Sequence, residues 1–358
     1  MVEEQEIPAK SSMEESDATA SETVMGNSNM EGQAVEKSIE ERVTEPSEIV
    51  AEDSTMEEQV VADPSETKAE DLTMEDQVAG PAWEPIFKSE RGDFLFHFDM
   101  ETITPNLEVS TNVIDVWSQI LNVLELYKED DRLPTRYFFK ISGINLLYFI
   151  EKHTNEEKLQ SFTKSVDECF REDEKHLKSL ENFDILFFPV CRENHLYLIC
   201  ADFINGLFRV IDNSSNGTDF EERYKSIPEE IKKVLVAYLD QVKHPNTERI
   251  RNTKPIRMQM KWRTKNNHVD CGVFLMLHME SYHGLKNWDC GLFLESDKQK
   301  RQLDLLRSKY AAKILLSDLN LIKNKFLKLV QVFEEKSENE RKKMIDYAIV
   351  HRKERESS

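Results

Sequence analysis

The sequence predicts an α+β domain, a few antiparallel strands flanked by helices, set behind a long acidic arm. Three observations carry this expectation. Residues 184–190, 195–203 and 207–212 are apolar runs separated by short polar breaks, the pattern of neighbouring strands in one sheet. Helical periodicity lies on both sides of that block, over 111–127, 156–170, 220–242 and 302–335. Strands grouped together with helices around them point to α+β and not to alternating βαβ units.

Composition separates the arm from the rest. The 358 residues carry a formal net charge of −21. Residues 1–80 hold 23 Asp or Glu against 4 Lys or Arg, a net of −19, and no Phe, Tyr, Trp or Cys. Such a segment cannot bury a core and is expected to be disordered. Residues 51–62 (AEDSTMEEQVVA) nearly recur at 69–80 (AEDLTMEDQVAG), and two polar copies read as a duplicated arm segment rather than a solenoid. The first aromatic is Trp83. The expected boundaries are therefore 1–82 for the arm, 83–335 for the domain and 336–358 for a charged tail.

The remainder of the chain is near neutral at −2, which argues against nucleic acid as the main partner. No run of 18 apolar residues occurs and the N-terminus lacks a signal-like apolar stretch, so neither a membrane span nor a secretory leader is expected. The five cysteines (169, 191, 200, 271 and 290) form no CxxC pair. They read as free thiols in a reducing, intracellular setting, nucleus or cytoplasm. Only 10 glycines occur, with no phosphate-cradling loop, and HMESYH at 278–283 lacks the HExxH spacing. No cofactor and no metal are expected.

Taken in order, residues 83–100 alternate Phe87, Phe94, Phe96 and Phe98 with polar residues and predict one or two short strands. Ser110 or Thr111 caps a helix to about 127. Residues 130–134 are a loop, 137–150 are ambiguous, and 173–182 are a charged connector. Asn205-Gly206 predicts a hairpin, and Pro189 must lie on an edge or at a bulge. Residues 256–262 alternate Ile256, Met258, Met260 and Trp262 and predict a half-buried strand.

At Cys271 a polar segment gives way to an apolar run, CGVFLMLHM, which predicts a helix buried on most sides. A lone Cys is most often a small core hydrophobe. At the open end of a buried helix, however, unpaired N–H groups and the positive end of the dipole favour an anion. Gly272 leaves room beside the sulfur for a substrate backbone. A thiol nucleophile needs an imidazole to take its proton and a third group to orient that imidazole. His195 begins one strand and Asp212 ends the next. A strict two-residue turn would set 212 opposite 199, whereas a longer loop brings it nearer His195.

These residues resemble the Ulp1-type cysteine proteases that cleave ubiquitin-like modifiers such as SUMO, and most closely a divergent, plant-like branch of them. His195, the Val210-Ile211-Asp212 stretch followed by Asn213-Ser214, and Asp270-Cys271-Gly272-Val273-Phe274 match that family in order and type. The resemblance implies a papain-like fold, a catalytic Cys271, His195 and Asp212, and a ubiquitin-like modifier and its conjugates as partner of a monomeric enzyme. It also exposes two departures. The family places Trp after the His, lining a narrow tunnel for a Gly-Gly tail, where this chain has Leu196. It places Gln six residues before the Cys to hold the oxyanion, where this chain has Lys265. Leu196, Trp262 and Gly272 are the residues expected to meet substrate, with Lys265 the oxyanion candidate. A competing expectation is a pseudoprotease that binds a modifier without turnover.

Overall fold

The computed structural model describes residues 84–128, 133–144, 148, 151–171, 180–217, 219–265 and 267–357, all within the unit Ala69–Ser358. The acidic arm and its repeat, and parts of the segments 130–134, 137–150 and 173–182, lie outside these residues.

The described chain opens with a hairpin, β1 (Pro85–Lys88) and β2 (Phe94–Phe96), then a short helix α1 (His97–Glu101) and a long helix α2 (Thr111–Leu126). Ser110 caps α2 by accepting from the Asn112 N–H, as its position before an apolar stripe predicts. After β3 (Arg136–Phe138) and α3 (Asn155–Arg171) come β4 (Ile185–Arg192), β5 (His195–Asp202) and β6 (Leu207–Ile211). Helices α4 (Phe220–Tyr224), α5 (Ile227–Gln241) and α6 (Thr247–Arg251) lead to β7 (Ile256–Arg257). Then follow α7 (Cys271–Ser281), α8 (Asp297–Leu315), α9 (Lys323–Glu335) and α10 (Glu338–Ser357).

The main sheet has the order β3-β4-β5-β6-β7. Its centre is antiparallel as expected, while the edge pairs β3-β4 and β6-β7 are parallel. Both faces are covered, which is why the central strands read as nearly unbroken apolar runs. From β5, Leu196, Leu198 and Cys200 point into a cluster with α2 and α7, while Tyr197, Ile199 and Ala201 point into one with α3 and α5. Pro189 pairs with Leu198 beyond the stretch where β3 borders β4, so its missing N–H costs no ladder bond.

The β5-β6 loop is longer than two residues, with Asp202 opposite Leu207 and Leu198 opposite Ile211. The loop is fastened by the Asn205 N–H donating to Asp202 Oδ1 at 2.9 Å, and Gly206 has φ 62°. Continuing that register sets residue 212 across from 197.

Three sequence expectations are corrected. The 220–242 helix is broken, because Lys225 at φ 53° leaves the helical region and Pro228 starts α5 afresh. The 302–335 helix is also two helices, separated around Asn320. That buried amide donates to the carbonyls of Ile86 and Leu315 and accepts from the Lys88 N–H, trading helix continuity for a bond to β1. The strand expected over 256–262 stops at Arg257. Met260 and Trp262 reach the core from a loop, while Ile256 is exposed.

Candidate active site

Cys271 stands at the first turn of α7, with nine of the helix's residues buried and the cysteine itself 1 % exposed. Asp270, the N-cap residue, is also buried. Its carboxylate is held by Arg307, which donates from Nε at 2.9 Å and from Nη2 at 2.6 Å to Oδ1, and by Asn267 Nδ2 at 2.7 Å to Oδ2. Arg307 further donates to the carbonyls of Thr102, Thr104, Leu107 and Val269. The entry to α7 is thereby tied to α8 and to the segment before α2.

His195 follows a two-residue turn, Glu193-Asn194, in which both residues have positive φ (50° and 59°) and Arg192 pairs with His195. That conformation suits a tight hairpin and is uncommon for Glu. The turn also brings the Asn194 carbonyl to 3.9 Å from Cys271 Sγ, a weak acceptor for the thiol. The His195 Nε2 lies 2.9 Å from Asp212 Oδ1, and the ring is near enough to Cys271 for the two to interact. The structure thus brings the three residues into one row. Burial disfavours the charged ring, but the interactions with Asp212 and Cys271 outweigh it and raise the His195 pKa to about 9.

Asp212 is fully buried and heavily partnered. Oδ2 accepts from Tyr224 Oη and Arg223 Nε, each at 2.7 Å, and Oδ1 accepts from the Ser214 N–H at 2.9 Å. Burial alone would raise this carboxyl, yet the bonds to His195 together with the Arg223 charge and Tyr224 hold it well below the usual carboxylate range. In turn, burial and the adjacent carboxylate push the Tyr224 phenol up, so it remains a donor. Arg223 and Tyr224 sit at the end of the short helix α4, where no local pattern marks them. Arg307 did leave a signal: with Leu303, Tyr310 and Ile314 it falls on the buried face of α8, an arginine in an apolar stripe.

Three of the other thiols are disfavoured as thiolates. Burial pushes Cys200 well up and Cys290 to about 12, and burial with the nearby Cys271 and Glu108 raises Cys191. All three stay protonated near neutral pH.

The residues expected to meet substrate are placed otherwise. Trp262 is 2 % exposed, stacks edge-on against Trp288 and donates Nε1 to His278 Nε2 at 3.1 Å. It is a core residue that holds His278 in its neutral form, and burial lowers that histidine to about 3. Leu196 is likewise buried, pointing beneath α7. Gly272 leaves room for the protein itself, since a Cβ there would come 2.6 Å from Val109 Cβ and 3.3 Å from Leu196 Cδ1. Lys265 is exposed, and its backbone N–H donates to Glu295 Oε2 at 2.9 Å. The preceding Thr264 bonds the Asn213 and Ser215 backbone at 2.7 Å each, so this loop is fastened to the chain leaving Asp212. Among the described residues no cluster of His, Cys, Asp and Glu suits a metal ion, and no helix is long and apolar enough to cross a membrane.

Comparison with known proteins bears on this site. The sequence matches the Ulp1 protease family, C-terminal catalytic domain, over residues 137–316. A search of curated proteins finds no match. Among solved structures, the chain is similar to the C-terminal Ulp1 protease domain determined in complex with Smt3, the yeast ortholog of SUMO. That likeness has TM-score 0.48 and 16 % identity, covering 69 % of this chain and 94 % of that one. The catalytic domain of the Ulp1-like SUMO protease of Chaetomium thermophilum is similar at TM-score 0.44 and 15 % identity, covering 70 % and 91 %. A fold with helices on both faces of a mixed sheet and a cysteine opening a buried helix is the papain-like, Ulp1-type one. With half of its length matched, the chain belongs to the Ulp1 protease family of cysteine proteases.

Proposed function

We propose that this protein is a cysteine peptidase that hydrolyses the peptide or isopeptide bond after the C-terminal tail of a ubiquitin-like modifier, SUMO before others. The observation that carries the reading is the row Asp212–His195–Cys271, with the imidazole bonded to Asp212, Cys271 beside the ring, and the sulfur at the start of a buried helix. Family membership supports the choice of substrate class.

In this reading His195 Nε2 donates a hydrogen bond to the Asp212 carboxylate, and Nδ1 is the nitrogen that holds the proton given up by the Cys271 thiol. The thiolate attacks the carbonyl carbon of the last tail residue. The oxyanion that forms is held by the first-turn N–H of Cys271 and by Lys265. His195 returns its proton to the leaving amine as the C–N bond breaks. Water, deprotonated by His195, then splits the thioester and frees the tail carboxylate. Asp212 keeps the ring oriented throughout and stabilises its charged form. Residues 83–335 would suffice for this chemistry. The motif resemblance is the ground for placing the chain in a divergent, plant-like branch of the family.

A second reading is a pseudoprotease that binds a modifier without turnover. The exposed Lys265, at a position where a planar amide would fix an oxyanion donor, favours it. The two readings separate on reaction with modifier tails ending in an electrophile. The peptidase reading expects covalent capture by the wild-type chain, none by Cys271→Ala, and much slower capture by His195→Ala. Capture that survives Cys271→Ala would sink it.

A further inference from the structure

One group in the site has no part in the reaction just described. Arg223 sends Nη2 to 3.2 Å from His195 Nε2 while its own Nε donates to Asp212 Oδ2 at 2.7 Å. We propose that Arg223 is a positioning residue that sets the protonation of His195, by competing with Asp212 for the single site on Nε2. The proposal rests on His195 serving as the base in the peptidase reading.

A ring nitrogen has one in-plane site, either an N–H or a lone pair. If Nε2 carries the proton it donates to Asp212 Oδ1, and the Nδ1 lone pair is left to receive the thiol proton. The Arg223 N–H then abuts another N–H. If Nε2 is bare it accepts from Arg223, the proton sits on Nδ1, and the base towards Cys271 is blocked. Guanidinium does not lose its proton in proteins, so Arg223 cannot relieve the conflict by becoming an acceptor. In the imidazolium both nitrogens carry protons, and the guanidinium charge opposes that state directly. Through Nε it also neutralises part of the Asp212 charge that favours imidazolium.

The arginine is built into place. Its backbone carbonyl accepts from Arg192 Nη1 at 2.9 Å, and its guanidinium lies 5.8 Å from the centre of the Tyr224 ring. Asp219 caps α4 by accepting from the Glu221 N–H, and Lys225 ends it in the left-handed region. The other charged and titratable groups around the pair act on Asp212 or lie farther off. Tyr224 donates to Asp212, and Arg257 Nη2 stands 3.7 Å from its Oδ2. Cys271 faces the ring from α7, and Tyr197 stacks on it from β5 with centroids 6.1 Å apart. Arg223 is thus the one cation within hydrogen-bond distance of His195 among the described residues.

The test is a pH titration of His195 by NMR of histidine-labelled full-length chain carrying Cys271→Ser, which removes the coupled thiol. The resonance is assigned by its loss in His195→Asn. Arg223→Gln is expected to raise the His195 midpoint by about one pH unit, the size of a partly screened unit charge at this range. Arg223→Lys keeps a charge for Asp212 but loses the fork that reaches both groups, so it is expected to raise the midpoint by less. Should Arg223→Gln not fold, the lysine variant carries the test. A midpoint unmoved in a folded variant, or one that falls, overturns the proposal. Wild-type capture of a modifier-tail electrophile is scored separately, and its failure would end the peptidase reading without touching the midpoint.

Discussion

Replacing Arg307 with Met should strongly destabilise the protein and disorder the thiol. The guanidinium is 1 % exposed, forms an ion pair with the fully buried Asp270 at 2.6 Å, and caps four backbone carbonyls. Methionine fills much of the same volume, so the loss is electrostatic and not a cavity. Removing one partner of a buried ion pair leaves an uncompensated charge and costs roughly 3–5 kcal/mol. Each orphaned carbonyl adds to this unless water reaches it, at about 1–3 kcal/mol. For a domain of this size, the ion-pair term alone corresponds to a fall in Tm of about 6–20 °C. Because Asp270 precedes Cys271, the entry to α7 should loosen as well. Urea denaturation gives the stability change, and the rate of iodoacetamide alkylation at Cys271, read by peptide mass spectrometry, gives the local one. Adding Asp270→Asn should recover part of the loss, since the stranded charge is then gone. A cost for Arg307→Met below about 1 kcal/mol, the range of a surface pair, would refute the reasoning.

Three other predictions follow from different parts of the chain. Lys265→Gln should raise turnover of a modifier-tail substrate by at least about tenfold, a discounted share of what an oxyanion donor is worth; unchanged or lower turnover would show that this position is not that donor. His278, lowered to about 3 by burial, binds a proton in the unfolded chain below about pH 6.5 but not in the folded one. Its contribution is full above that pH and is lost on acidification at up to about 1.4 kcal/mol per unit. Urea curves at pH 7, 6 and 5 should fall less steeply with acid in His278→Gln, whose amide can still accept from Trp262; equal slopes would contradict this. The raised His195 acts at the other end, its stabilisation being full below about pH 6.5 and lost as pH climbs through about 9. Deleting residues 1–80, which hold no aromatic residue, should leave Tm within a few degrees, and insoluble or strongly destabilised protein would show that they pack on the domain.

What the sequence disclosed follows from how each feature is encoded. The central strands and α7 were legible because both faces of the sheet and nearly all sides of the helix are buried, leaving unbroken apolar runs. The Ser110 cap was legible because it acts within two residues of itself. Helix breaks were harder. Lys225 turns left-handed without a glycine, and Asn320 gives up helix continuity for a bond to a strand 234 positions away. Alternation misled at 256–262, where Met260 and Trp262 are buried from a loop and not from a pleat. At the site, His195, Asp212 and Cys271 could be proposed because each stands at or beside an element's end and the three follow a family's motif order. The β5-β6 register then decided the approach of Asp212, through a loop longer than two residues. Arg223 and Tyr224 were not visible, since their partners are fixed by tertiary packing of a short polar helix. Trp262 is buried and Gly272 packs closely on Val109 and Leu196, contacts that the sequence alone did not show.

The central claim is that Cys271, driven by His195 and Asp212, breaks the bond after a modifier tail. Its most direct measurement is cleavage of a full-length modifier fused through its C-terminal tail to a reporter, followed by intact mass. The expected result is release of the modifier ending at its tail carboxylate by the wild-type chain, and none by Cys271→Ala. An unchanged fusion alongside a readily alkylated Cys271, or cleavage that persists in Cys271→Ala, would contradict it.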